Sequence, residues 1–146
     1  MPLPAPGRLL AIDWGEIRIG IALCDELRLL ASPLTTLTRR RGKRFPLGRL
    51  LTLMEEHQPV GVVLGLPLAL DGGESPATEA VRALASRIAP RIPVPLELWD
   101  ERLTTARALR AVREQGGSTR NRKADVDSLA AAVLLQHYLD SHRPAP

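Results

Sequence analysis

The 146-residue chain is short of the residues that mark several classes of protein. It has one cysteine, Cys24, so no disulfide can close within the chain. For the same reason His57, His137 and His142 lack the cysteine partners of a zinc set. Cys24 falls on an apolar stretch, which predicts a buried, inert thiol. Only Trp14, Phe45, Trp99 and Tyr138 are aromatic, which leaves few rings on which bases of a single strand could stack. No apolar run approaches the roughly 20 residues of a membrane helix. The opening MPLPAPGR lacks the charged and apolar regions of a signal peptide, so the expected location is the cytoplasm, with no membrane partner. There is no GxxxxGK[ST] phosphate loop and no GxSxG nucleophile elbow.

Lysine is scarce too. Of 20 basic residues only Lys43 and Lys123 are lysine; the rest are arginine, and against 16 acidic residues they leave a net charge of +4. Arginine's planar fork suits bidentate phosphate contacts, although a G+C-rich genome gives the same bias. The clusters are more telling than the total. RRRGKR at 39–44 and RNRK at 120–123 are dense enough for a polyanion, while solvated charge runs look the same in sequence.

The first forty residues read as an antiparallel meander, RLLAID, RIGIALCD and RLLASPLTTLT, with DWGEI and DELR as turns. FPLGRLLTLMEEH has helical spacing, and VGVVLGLPL is a continuous apolar run, as expected of a buried central strand. SPATEAVRALASRI reads as a helix with Ser75 as N-cap and Pro76 in its first turn. VPLELWD predicts a further strand, and TTARALRAVREQGG a helix closed by Gly116 and Gly117. A polar loop, STRNRKAD, then precedes a last helix, VDSLAAAVLLQHYLD, with Leu129, Ala130, Val133, Leu134 and Tyr138 available to pack. The order predicts one α/β domain over residues 1–146: a mixed five-stranded sheet, strands 1–3 antiparallel and the later ones parallel to the first, with helices on both faces.

Ligands gather beyond the carboxyl ends of parallel strands. Asp13 ends the first predicted strand, Asp100 and Glu101 end the last, and Asp127 opens the final helix. Each has an ordinary explanation: a turn, a helix entry, a helix dipole. Together they place acidic groups from distant segments at one end of one sheet. Such a gathering repels itself unless a cation neutralises it, and oxygen-only ligands suit Mg2+ or Mn2+. Two such ions about 4 Å apart can activate a water and stabilise the leaving oxygen of a phosphodiester.

The blocks LAIDWGEIRIGIALCD, VVLGLPLALDGGESP, DERLTT and VDSLAAAVLLQHYLD resemble the four motifs of the YqgF/RuvX family, over roughly residues 8–140. The resemblance implies a ribonuclease H-like fold and a divalent-metal nuclease, acting on Holliday junctions or other branched DNA, on the 5′ end of the 16S rRNA precursor, or on both. It carries the catalytic and metal-binding roles onto Asp13, Glu101 and Asp127, and Asp100 and Arg102 also match. In that reading Asp13 serves both metals, Glu101 and Asp127 one each, and Arg18 sits near the scissile phosphate. Arg102, Arg120, Arg122 and Lys123 complete the expected substrate contacts, with STRNRKAD as a clamp. The chain departs from the family pattern at Glu16, Ile17, Ala69 and Asp125, each change removing a phosphate-friendly group or adding negative charge. A symmetric junction, cut twice, favours a homodimer. The alternative is a nucleic-acid-binding adaptor with a vestigial acidic site. An actin-like ATPase would need a second lobe, which the chain lacks room for.

Overall fold

A computed structural model describes Leu3 and residues 6–15, 17–39, 44–102 and 122–143, excepting the side chains of 122–126. Five strands form one sheet in the order β3-β2-β1-β4-β5. β1 is Leu9–Asp13, β2 Arg18–Cys24, β3 Ala31–Thr38, β4 Gly61–Leu66 and β5 Leu96–Asp100. β1, β2 and β3 pair antiparallel; β4 pairs parallel with β1, and β5 with β4. Among the described residues, helices α1 (Leu47–His57) and α2 (Pro76–Ile88) pack on one face, and α3 (Arg122–Ser141) on the other. The mixed sheet with helices on both faces is the expected one.

The two coverings explain the sequence pattern. β1 and β4 are buried along their whole lengths, so they read as unbroken apolar runs. Leu10, Ile12, Ile21, Val62 and Leu64 meet Leu50, Met54, Val81 and Leu84 from α1 and α2. Leu9, Ala11, Ala22 and Val63 face Ala131, Leu135, Tyr138 and Leu139 of α3. Small residues predominate on this second face, which lets α3 lie close to the sheet. Cys24 is buried there; its Sγ accepts the Leu9 N–H at 3.2 Å, and burial pushes the thiol pKa up. α2 begins as expected at Ser75, in a capping box with Thr78. The Thr78 hydroxyl also donates to the Pro67 carbonyl, tying the start of α2 to the end of β4.

Several boundaries differ from expectation. β3 starts at Ala31 rather than Arg28, because the Asp25 carboxylate accepts the N–H groups of Leu29 and Leu30, both at 2.8 Å, and holds 25–30 as a turn. Arg28 takes the left-handed conformation in that turn, with φ 58°. The end of β4 at Leu66 is the expected one, since Pro67 has no N–H to give the ladder. α3 begins at Arg122, so residues 122–125 are its first turn and not a loop. On α3, Leu129 is exposed rather than packed, and Ala131, Leu135 and Leu139 form the packing face with Tyr138. The helix expected over 104–117 and the polar stretch 118–121 lie outside the described residues. No helix among the described residues is long and apolar enough to cross a membrane.

Candidate active site

Asp13 is the last residue of β1, and alternation puts it on the α3 face with Leu9 and Ala11. Its antiparallel partner in β2 is Gly20. On its other side Ile12 pairs with Leu64, so the next step of β4, Gly65, comes alongside Asp13. Gly65 in turn pairs with Trp99 of β5. The row Gly20, Asp13, Gly65, Trp99 therefore sets a carboxylate between two residues with no side chain.

The other two acids come in over those glycines. A Cβ on Gly20 would lie 2.0 Å from the carbonyl oxygen of Asp127, so the α3 backbone rests directly on β2 there. A Cβ on Gly65 would lie 2.8 Å from Glu101 Oε2 and 2.9 Å from Leu134 Cδ2. Asp13, Glu101 and Asp127 are thus brought around one row from β1, from the end of β5 and from α3. All three are buried, at 2%, 1% and 0% exposure. Both oxygens of Asp13, both of Glu101 and Oδ2 of Asp127 are withdrawn from solvent. Placing carboxylates in such surroundings is costly as long as they are charged and uncompensated.

Local structure fixes each position. The Glu101 N–H donates to the Leu66 carbonyl at 3.3 Å, carrying the β4–β5 alignment one residue past Asp100. Asp127 does not open its helix, as the sequence suggested: α3 starts at Arg122, and Asp127 lies beyond the first turn. The helix dipole acts mainly within that first turn and no longer accounts for it. Asp127 instead shares the buried stripe of Ala130, Ala131 and Leu134, at i+3, i+4 and i+7.

Arg102 joins two of the sequence blocks. Its Nε donates to Asp100 Oδ2 at 2.7 Å, its backbone N–H to Asp100 Oδ1 at 3.0 Å, and its Nη1 to the Leu70 carbonyl at 3.4 Å. Gly72, at φ 88°, turns the 69–73 loop beneath this guanidinium; a Cβ there would stand 3.0 Å from Nη1. Arg102 therefore holds the turn after β4 against the segment that presents Glu101. Arg18 begins β2, half-buried, two residues outward from Gly20 and on the same face. Arg120 lies outside the described residues, as do the side chains of Arg122 and Lys123, whose backbones form the first turn of α3. Glu16 and the Asp125 side chain are likewise outside them, while Ile17 and Ala69 are exposed.

The three acids supply only oxygen donors, the kind a hard dication takes. They stand around the row without closing on a point: among the described residues, no three His, Cys, Asp or Glu side chains already form a set that could hold an ion. Sequence reasoning missed Gly20 and Gly65, which make room for the acids. A glycine inside an otherwise apolar strand signals close approach by another group, and that signal was present at both positions.

Residues 7–141 match the profile of a family described as "RuvX: Holliday junction resolvase". A protein of Roseiflexus sp. (strain RS-1), named "Putative pre-16S rRNA nuclease", is 42% identical over 138 residues, 94% of this chain and 97% of its own. One from Streptomyces avermitilis with the same name is 44% identical over 140 residues, covering 94% of this chain and 88% of its own. Among solved structures, Thermus thermophilus RuvC in complex with a Holliday junction substrate superposes with a TM-score of 0.52 at 15% identity, over 92% of this chain and 94% of its own. That similarity shows a shared ribonuclease H-like fold.

Proposed function

Because the chain belongs to the RuvX Holliday junction resolvase family, we propose that this nuclease cuts its substrate with divalent metal, Mg2+ or Mn2+, held by Asp13, Glu101 and Asp127. The observation that carries the reading is the glycine-flanked row, which gathers three buried carboxylates from separate elements at the carboxyl end of the parallel strands. A bound dication there supplies positive charge to activate water and stabilise the leaving oxygen of a phosphodiester. The chain's own residues do the rest. Gly20 and Gly65 leave the space above the sheet to the acids, and α3 closes one side of it to water. Arg102 positions the Glu101 segment. Arg18 at the mouth, with Arg120, Arg122 and Lys123, grips the phosphate backbone.

The substrate is structured nucleic acid: a Holliday junction or other branched DNA, the 5′ end of the 16S rRNA precursor, or both. The 146 residues act as one domain in the cytoplasm, and as a homodimer where two symmetric cuts are needed.

The test is to incubate the pure protein with a junction, a linear duplex, single strands and a 16S rRNA precursor, in Mg2+, Mn2+ or EDTA. Structured substrates should be cut, with Mn2+ at least as effective as Mg2+, and EDTA should stop the reaction. Activity in EDTA would refute the metal reading. Changing Glu101→Gln should keep binding and remove the rate. Tight binding of junctions and precursors by wild type, with no cutting in Mn2+, would make the protein an adaptor.

A further inference from the structure

The acidic row occupies the α3 face. On the opposite face a cleft of about 260 Å³ opens between the start of α1 and the end of α2. Its floor is Leu84 and Ile88, both buried, with half-buried Phe45 and Leu47. Its rim is Arg44, Arg87 and Arg91, all exposed. Among the described residues no acidic side chain lines it, and none of the three arginines forms an ion pair. The complementary occupant has an apolar body and more than one negative charge. The volume is below the roughly 300–1,000 Å³ of sites for drug-sized ligands, so one ring system fits better than several.

A second observation links this cleft to the acidic site. The Phe45 ring lies 6.1 Å from that of Trp14, and the Arg39 guanidinium sits 4.3 Å over Trp14. Trp14 directly follows Asp13 at the end of β1. Rings and guanidinium groups thus run in one track from the strand end that carries Asp13 to the cleft.

We propose that the cleft is a subsite for an unpaired nucleotide of the nucleic-acid substrate, with its base on Phe45 and its phosphates on Arg44, Arg87 and Arg91. A base supplies the flat apolar face that the floor takes, and its two flanking phosphates supply the charge. An acidic peptide would satisfy the arginines but needs an aromatic residue in register to cover Phe45, whereas every nucleotide carries a flat base beside its phosphate. The subsite gives substrates with an unpaired flank an advantage over blunt ones. Its ligand class rests on the nuclease reading, but its binding needs no metal.

The test uses the full chain in EDTA, a fluorescein-labelled 12-nucleotide single strand, and a blunt duplex of the same sequence, with anisotropy read across a salt series. Changing Arg87→Gln and Arg91→Gln together should weaken single-strand binding about tenfold and flatten its log–log salt dependence by about 0.7 per lost phosphate contact, while sparing the duplex. Phe45→Leu should weaken it about fivefold or more, and Phe45→Tyr, which keeps the ring, should bind like wild type. A 4-thiouridine strand should crosslink to the peptide containing Phe45. Thermal midpoints of the arginine variants should match wild type, since both side chains are exposed. Wild-type single-strand affinity in the arginine variants would overturn the subsite. So would displacement of the strand from the cleft by polyglutamate without any Phe45 crosslink, the result expected of an acidic protein partner. The two readings fail separately. Full activity of Asp13→Asn sinks the metal site and leaves the cleft standing; normal binding by the arginine variants sinks the cleft and leaves the metal site standing.

Discussion

Gly65 of β4 and Glu101 beyond β5 are fitted to one another: a Cβ on the glycine would stand 2.8 Å from the glutamate's Oε2. Adding one methyl group therefore tests the placement of the carboxylate without touching its chemistry. Gly65→Ala should push Glu101 and Leu134 off the row, at a cost of about 1–3 kcal/mol of stability. The rate should fall at least tenfold. Gly20→Ala should destabilise more, because its Cβ would meet the Asp127 backbone carbonyl at 2.0 Å, and backbone cannot swing aside as a side chain can. Urea midpoints for the two variants, alongside cleavage rates, check the order. Wild-type rates in Gly65→Ala would show that Glu101 is not needed where it stands.

Asp13→Asn should abolish cleavage and keep the fold, because it removes a charge and almost no volume. A loss of about a thousandfold or more is expected where a metal-held charge is withdrawn. Binding provides an independent readout. Mn2+ at about 100 times its dissociation constant should stabilise the wild type by about 2.7 kcal/mol, seen as a higher thermal midpoint, and should leave Asp13→Asn nearly unmoved. Equal midpoint shifts in the two proteins would place the metal elsewhere.

Arg102 and Asp100 should behave as a coupled pair. The contact at 2.7 Å is only partly buried, so its own contribution to stability is about 1 kcal/mol or less. Its larger effect should be on the reaction, because the pair holds the 69–73 turn against the Glu101 segment. Arg102→Ala and Asp100→Ala should each slow cleavage, and the double variant should be little slower than either single one. Effects on the rate that simply multiply would show that the two residues act independently.

Tyr138 ties the far end of α3 to β5 and to the N-terminal segment: its hydroxyl donates to Glu97 Oε2 at 2.6 Å and accepts the Leu3 N–H at 3.3 Å. Burial, reinforced by the Glu97 contact, pushes its pKa up to about 12 from the ordinary 10.0. A phenol raised on folding contributes stability that is whole below its unfolded pKa and is lost as pH rises toward the folded value. Stability should therefore fall between about pH 10 and 12, and Tyr138→Phe should remove that part of the fall. At neutral pH the same change should cost about 1–2 kcal/mol, since it strands Glu97 and the Leu3 N–H. Denaturation midpoints of both proteins at pH 8 and pH 11 decide it; parallel lines would assign the alkaline loss to other groups.

Local chemistry carried much of this protein into its sequence. Unbroken apolar runs marked β1 and β4, because strands covered on both faces need no polar side. Ser75 and Pro76 marked the start of α2, because capping uses neighbours in the chain. The resemblance of the motif blocks to a family grouped Asp13, Glu101 and Asp127, and the fold brings all three around one row. Tertiary structure decided what those blocks could not. Asp127 was read as a helix-opening residue because the polar run before it resembles a loop; folded, those residues extend α3, and Asp127 moves onto its buried stripe. The motif blocks mark Arg102 beside Glu101, but its hydrogen bonds to Asp100 and to Leu70, in a turn some thirty residues earlier in the chain, come only with the fold. A glycine inside each strand was legible locally, but the space that the two make around Asp13 was not. It exists because the register of three strands aligns Gly20 and Gly65 on either side of one carboxylate, and register is fixed by pairing between segments far apart in sequence.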